Sequence, residues 1–258
     1  MNYNVSIIIP TIGGRTSIVS AIESVISQKN VKAEIIVVFD HIPIDLELKK
    51  KYNDIIFLQN KGNKGGNACR NLGVSVSKND FIAFLDDDDT WQSDKLIKQL
   101  NVLSNYTNHT LIYTGKNIIT KSIKKTQTRY NFSKQEKPSA KDSLSIQNFI
   151  GSTSSILLKR STFYEVSGFN EGLSALQDYE LYIRLATKGV YFVGIDEPLL
   201  NYYIVQNNFS VSKKISKNFK SSIQLLKLFK TPRNRFNFII NTVILYNIKV
   251  LVHQLRFI

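Results

Sequence analysis

Apolar residues over the first hundred positions alternate between two spacings. Val5-Ser-Ile-Ile-Ile9 is a short β-branched run ended by Pro10 and predicts a buried strand. Ile18, Ala21, Ile22, Val25 and Ile26 then recur at the spacing of one helical face. Glu34-Ile-Ile-Val-Val-Phe39, ending at Asp40, predicts a second strand, Leu46 to Tyr52 a short helix, and Ile55-Ile-Phe-Leu58 a third strand. Gly62 to Gly66 reads as a turn opening a helix from Asn67 to Ser77. Asp80-Phe-Ile-Ala-Phe-Leu85 predicts a fourth strand that runs straight into Asp86, Asp87, Asp88 and Asp89. Ser93 is the expected N-cap of a helix whose face carries Leu96, Leu100 and Leu103.

Strands alternating with helices imply an α/β fold with a mainly parallel sheet covered on both faces. Ligands of such sheets bind beyond the carboxyl ends of the strands. Pro10-Thr11, Asp40 and Asp86 to Asp89 each follow a predicted strand, so the fold should gather them along one edge.

The pattern is less regular further on. Leu111 to Tyr113 and Ser154 to Leu158 read as strands, and Tyr179, Ile183 and Ala186 place a helix after Asp178. Lys121 to Lys141 is polar and aperiodic and reads as a long loop. From Gln206 onward there are two helical stretches split near Pro232. No apolar run there reaches the roughly 20 residues a spanning helix needs.

Composition changes this picture in two ways. A single cysteine, Cys69, excludes a disulfide framework and an all-cysteine metal site; it reads as a core residue and fits a reducing compartment. The start of the chain lacks a basic segment followed by an apolar core and a cleavage site, so it reads as a mature N-terminus. The net charge of +14 is unevenly distributed. Residues 206–258 hold ten Lys or Arg and no acid, residues 116–141 hold eight against one acid, and the remainder is slightly acidic. That segregation points to an anionic partner.

Four adjacent carboxylates after an apolar strand repel one another and raise each other's pKa unless a cation intervenes. A hard divalent cation, Mn²⁺ or Mg²⁺, takes oxygen ligands and typically joins one or two carboxylates to substrate phosphates. The competing reading is an acidic loop at the N-terminus of the Ser93 helix, where a single acid would suffice. His41, His109 and His253 share no metal-ligand spacing. The Gly62-Asn-Lys-Gly-Gly66 turn lacks the ending of a P-loop, Trp91 fits either packing or stacking near a ligand, and Gly151-Ser-Thr-Ser154 is a candidate for the acceptor side.

Ser6-Ile-Ile-Ile-Pro-Thr11, Glu34-Ile-Ile-Val-Val-Phe-Asp40, Asn63-Lys-Gly-Gly-Asn-Ala-Cys-Arg-Asn-Leu-Gly73, Phe84-Leu-Asp-Asp-Asp-Asp-Thr-Trp91, Gly168-Phe-Asn-Glu171 and Gln177-Asp-Tyr-Glu-Leu-Tyr-Ile-Arg184 follow one another in the order found in family 2 glycosyltransferases, which the chain resembles from about residue 4 to 205. The resemblance implies the A-type glycosyltransferase fold, a nucleotide-diphosphate sugar donor and inversion at the anomeric carbon. It assigns Thr11 and Asp40 to the nucleoside, Asp86 and Asp87 to nucleotide or metal, Asp88 to the metal and Asp178 to the catalytic base. Pro10 falls beside the donor, the turn ending at Gly66 lets the nucleotide approach the backbone, and Arg70 reads either as a diphosphate contact or as a structural ion-pair residue. Phe39, Asn170 and Gln177 replace acids of the family's pattern, and Gln177 should leave Asp178 with a lower pKa than in relatives.

The expected organisation is a catalytic domain over 1–205, with a donor half at 1–105 and an acceptor half at 106–205, and a basic helical extension over 206–258. The expected donor is a UDP-sugar and the expected acceptor a glycan or lipid-linked oligosaccharide of a bacterial surface polysaccharide. The expected location is the cytoplasm, with the basic extension resting on the anionic inner face of the membrane. A metal-dependent nucleotidyltransferase and a nucleic-acid-binding protein are the competing classes. The second lacks any binding motif, and nucleic acid is not an expected partner.

Overall fold

The computed structural model describes residues 3–14, 16–106, 109–120, 140–204 and 211–245. The chain begins with β1 (Tyr3–Thr11), α1 (Ser17–Ile26), β2 (Val31–Asp40), α2 (Leu46–Lys51), β3 (Ile56–Asn60), α3 (Gly66–Val76) and β4 (Phe81–Phe84). It continues with β5 (Thr90–Trp91), α4 (Lys95–Leu103), β6 (Thr110–Thr120), α5 (Ala140–Ile146), a 3₁₀ turn (Thr153–Ser155) and β7 (Ile156–Lys159). α6 (Arg160–Tyr164), α7 (Gln177–Thr187), β8 (Tyr191–Ile204), α8 (Val211–Leu226), α9 (Pro232–Phe238) and a π-helical turn (Ile239–Leu245) complete it.

The strands form one eight-stranded sheet in the order β3-β2-β1-β4-β7-β6-β8-β5. The N-terminal part is the expected parallel sheet: β3, β2, β1 and β4 all run the same way. The sheet is mixed beyond it, because β7 pairs antiparallel with both β4 and β6, and β5 antiparallel with β8. The period-2 alternation of β1 and β2 explains why both faces need cover. Val5, Ile7, Ile9, Ile35, Val37 and Phe39 pack under α1 and α4, while Ile8, Ile36 and Val38 pack under α3.

The expected boundary at residue 205 falls at the end of β8. The two helices beyond it do not stand apart: Leu225, Phe229 and Phe238 are fully buried in the same core as Tyr179 and Tyr182, and Phe238 stacks on Phe229 with ring centres 5.1 Å apart. Thr231 caps α9 by accepting from Asn234 N–H, and Pro232 occupies its first turn.

Three local expectations are corrected. Ser93 does not cap α4; Asp94 holds the N-cap position without a capping bond, and its carboxylate pairs with Lys98 instead at 2.6 Å. Ser154 and Ser155 lie in the 3₁₀ turn, not in β7, because the Ser152 hydroxyl accepts from Ser154 N–H and starts a turn. β8 went unread because Asp196-Glu197-Pro198 interrupts its apolar pattern; the strand absorbs the interruption through register shifts against β6. Of the expected loop at 121–141, residues 121–139 lie outside the described residues, as do the end of the tail from 246 and His253, while Ala140 and Lys141 belong to α5 and not to a loop.

Candidate active site

β1 outlasts its neighbour β4. The β4 pairing stops at Ile8 opposite Phe84, while the β2 pairing continues to Thr11 opposite Phe39. The chain leaving β4 therefore enters the gap beside the end of β1, and it enters as Leu85 followed by the four aspartates. Leu85 N–H donates to Ile8 O at 3.0 Å, and Asp89 N–H closes a turn onto Asp86 O at 3.0 Å. Asp86 N–H donates to the Ser154 hydroxyl at 3.1 Å.

This turn sends the carboxylates to different environments. Asp86 pairs with the Arg70 guanidinium at 2.5 Å. Asp87 is buried and accepts from the Thr11 hydroxyl at 2.6 Å. Asp88 is half-buried. Asp89 is fully buried and accepts from Tyr203 N–H at 3.2 Å. Burial, then the charge of Asp86 and after it that of Asp88, push its carboxyl well above the ordinary range. A shift towards the neutral acid relieves part of the repulsion in the cluster.

Asp40, at the end of β2, accepts from Gly65 N–H at 3.1 Å and from the Asn60 amide at 3.3 Å. It thereby fixes the glycine turn that starts α3. Gly65 has φ +124°, a backbone conformation that side chains resist. A Cβ at Gly66 would meet the Arg70 guanidinium at 3.0 Å, so Gly66 gives that side chain its room. Pro10, Thr11, Asp40, Gly66, Arg70, Asp86, Asp87 and Asp88 all line one cavity of about 240 Å³. Cys69 lies on the same wall, its thiol pushed up to about 12 by burial and so held uncharged.

A larger cavity of about 610 Å³ adjoins the first; Arg70 and Asp86 line both, and Asp178 lines the larger one. Two remote segments carry Asp178 there. Asn67 and Asn71 of α3 donate to Asn170 O at 2.7 Å and Phe169 O at 2.9 Å, and Phe169 N–H donates back to Asn71 at 2.9 Å. Asn71 and Asn63 also bond Glu171. From α7, Arg184 pairs with Glu180 and donates to Val166 O and Gly168 O. Gly168-Phe-Asn-Glu171 is thus a brace between α3 and α7. Leu176, in the left-handed region at φ 56°, then turns the chain into α7, and Asp178 stands in its first turn.

Asp178 keeps part of its surface open to the cavity but is densely surrounded by protein. That desolvation raises its carboxyl above the ordinary value; the bond from Tyr179 N–H at 2.8 Å and the charges of Arg70 and Lys116 offset it only partly. The absence of an acid at Gln177 therefore does not leave Asp178 an ordinary carboxylate.

Of the segment Gly151 to Ser154, Gly151, Ser152 and Thr153 line the larger cavity, whereas Ser154 is buried behind Asp86. Trp91 lines neither cavity: its indole N–H donates to Ser154 O at 2.7 Å, and the Lys95 ammonium lies 4.0 Å above its ring. Lys116, Asn148 and Tyr202 also line the larger cavity, and sequence reasoning missed them. In the sequence Lys116 is one of eight basic residues of the segment 116–141 and nothing singles it out, and Tyr202 lies in β8, which the apolar pattern does not predict. Only the run Leu199-Leu-Asn-Tyr-Tyr-Ile204 could have signalled the strand.

Among the described residues, no three His, Cys, Asp or Glu side chains converge as a ready-made metal cage. The oxygen-only set of Asp86, Asp87 and Asp88 on a cavity wall nevertheless suits a hard cation that uses one or two carboxylates and completes its shell with substrate phosphates.

A family model described as Glycosyl transferase family 2 matches residues 6–167. An uncharacterized glycosyltransferase of Haemophilus influenzae is 27% identical over 240 residues, covering 92% of this chain and 81% of that protein. The amylovoran biosynthesis glycosyltransferase AmsB of Erwinia amylovora is 29% identical over 214 residues, covering 78% of this chain and 69% of its own length. Among solved structures, the mannosyltransferase PcManGT of Pyrobaculum calidifontis in complex with GDP-Man and Mn²⁺ superposes with a TM-score of 0.67 at 14% identity, covering 98% of this chain and 73% of that one. S. aureus TarS 1-349 in complex with UDP-GlcNAc superposes with a TM-score of 0.64 at 15% identity, covering 91% of this chain and 69% of that one. At these identities the likeness to the solved structures is one of fold.

Proposed function

The chain belongs to the family 2 glycosyltransferases, and from that premise we propose that it moves a sugar from a nucleoside-diphosphate donor to an acceptor hydroxyl, with inversion at the anomeric carbon. One observation carries the reading: the cavity holding the aspartate cluster and the cavity holding Asp178 share Arg70 and Asp86. A donor laid across that junction has its diphosphate beside the cluster and its sugar beside Asp178.

In this reading Pro10, Thr11 and Asp40 flank the nucleoside, Gly66 lets the phosphates approach the backbone, and Arg70 holds the diphosphate side of the junction. Asp88, helped by Asp86 and Asp87, would hold Mn²⁺ or Mg²⁺, whose charge offsets that developing on the leaving diphosphate. Asp178 takes the proton of the acceptor hydroxyl. The oxygen so released attacks the anomeric carbon from the face opposite the diphosphate. The bond to the diphosphate breaks as the new glycosidic bond forms, and no covalent enzyme intermediate is needed.

The TarS complex with UDP-GlcNAc supports a UDP-sugar donor, and the name of the Erwinia relative supports polysaccharide synthesis on a glycan or lipid-linked acceptor. The cytoplasm is the location that fits this reading and the single, unpaired cysteine. Phe219 and Ile223, one turn apart on α8, and Phe236 on α9 are exposed apolar residues in an acid-free, lysine-rich stretch, which supports contact with the anionic inner face of the membrane. No helix among the described residues is long and apolar enough to cross a membrane.

The test is a panel of UDP-, GDP- and TDP-sugars with Mn²⁺, with and without EDTA. Release of nucleoside diphosphate from one donor class, lost in EDTA, is the expected outcome. No release from any donor, with pyrophosphate instead released from a nucleoside triphosphate supplied together with a sugar 1-phosphate, would make the protein a nucleotidyltransferase.

A further inference from the structure

Of the two cations among the described residues that line the larger cavity, Arg70 and Lys116, the reaction above does not use Lys116. It follows a double register shift of β6 against β8, at Thr114/Gly115 and Gly115/Lys116. Its side chain is 8% exposed, and its ammonium stands 4.6 Å from the centre of the Tyr202 ring. Opposite it, Gly151 adopts φ +85°, and a Cβ there would come within 2.9 Å of Nζ. A side chain at position 151 would crowd the ammonium.

Among the described residues, no carboxylate lies within ion-pair distance of this ammonium and no acceptor hydrogen-bonds it. Arg70, the other cation of the cavity, is already held by Asp86. Lys95 makes the contrast plain. It is fully buried and lines neither cavity, and Gln99 at 2.7 Å together with the Trp91 ring satisfies it. Burial pushes the Lys116 ammonium down, and Asp178 and Asp89 act against that at a distance. A buried charge without hydrogen bonds is costly unless a ligand completes it. Elsewhere in the cavity an anion would face the carboxylates of Asp86 and Asp178, so Lys116 marks the place where one is tolerated.

We propose that Lys116, backed by Tyr202 and cleared by Gly151, forms a subsite for an anionic group, a carboxylate or phosphate, carried on the sugar side of the substrates. This rests on the glycosyltransferase reading and adds a substrate class to it. Amides such as Asn148 would serve a neutral hydroxyl; an unpaired ammonium selects charge.

The full chain with Mn²⁺ and saturating UDP is titrated calorimetrically with glucose 6-phosphate, glucuronate and glucose. The two anions are expected to bind about tenfold or more tightly than glucose, and Lys116→Met should remove that preference while Lys116→Arg keeps most of it. UDP affinity should stay within about twofold in both variants, since Lys116 lies outside the cavity of the aspartate cluster. Equal anion binding by wild type and Lys116→Met overturns the proposal, as does anion binding that UDP abolishes. Lys116→Met should fold, because it removes a buried charge at nearly constant volume; Lys116→Gln is the second neutral variant. Comparing UDP-glucuronic acid with UDP-glucose as donors separates the sources. Discrimination lost in Lys116→Met puts the anion on the donor; unchanged discrimination with lost glucose 6-phosphate binding puts it on the acceptor. If the wild type binds no UDP, the donor reading fails, while the titrations of wild type and Lys116→Met without UDP still decide the subsite.

Discussion

Asp178 sets folding against chemistry. Its carboxyl is raised above 3.8 chiefly by burial, so the folded state holds its proton more tightly than the unfolded chain does. Between the ordinary and the raised value the folded protein binds more protons, and stability contributed by this group falls as pH rises through that window. Above it, the ionised carboxylate is destabilising, and it is the form that the proposed reaction needs as its base. Asp178→Asn should therefore lower turnover by about a hundredfold or more while raising the melting temperature at neutral pH. The stability gain should vanish below the ordinary carboxylate value, which melting curves from acid to neutral pH would show. Wild-type kcat/KM should rise with pH along an acid limb displaced upward from that of an ordinary aspartate. A variant that keeps near-normal turnover would remove Asp178 from the role of base. The sequence already distinguished this aspartate through its motif, but not its environment. Neither Lys116 nor Tyr202 could be assigned from residue type and spacing, because they meet each other, and the charge of Asp178 reaches both, only across segments remote in the chain.

α3 shows how one element serves both cavities. Its N-terminal turn is fixed by Asp40, its Arg70 reaches Asp86, and its Asn67 and Asn71 hold the brace that leads to Asp178. All this requires the helix to lie close on β1, and Gly73 is the point of closest approach. A Cβ there would come within 2.5 Å of the Ile8 side chain. Overpacking of this kind typically costs about 1–3 kcal/mol, against roughly 1 kcal/mol gained by replacing a helical glycine. Gly73→Ala should therefore destabilise by about 1 kcal/mol, measured as a lower denaturation midpoint with unchanged slope. An unchanged or higher midpoint would show that the helix can shift freely. The helix itself was legible, starting and ending within a residue of its expected bounds, because its apolar period and its glycine turn agree. Ser93 misled because a serine before a helical face is a good cap only if the chain lets its hydroxyl reach the first turn; here the carbonyl of Ser93 accepts from Lys29 N–H instead.

Along the whole chain, the positive charge is concentrated in residues 116–141 and 206–258, outside the segment that carries the aspartate cluster. The basic tail begins after β8, and its helices bury Leu225, Phe229 and Phe238 while leaving Phe219, Ile223 and Phe236 exposed. Removing the chain after Pro232 would take Phe238 out of the core, so point changes test the membrane reading better. Phe219→Ser with Phe236→Ser should weaken sedimentation with phosphatidylserine-containing vesicles several-fold without changing the melting temperature by more than a few degrees. Unchanged sedimentation would assign the patch to another use.

The sequence by itself determined the parallel half of the sheet, the aspartates at strand ends and a motif that singles out Asp178. Those follow from local period and from chemistry carried by adjacent residues. The tertiary structure decided which carboxylate meets which partner, that β7 and β5 make the sheet mixed, that the tail helices share the core, and that Lys116 faces the cavity of Asp178. Each of these depends on contacts between segments dozens of residues apart, which no local pattern encodes.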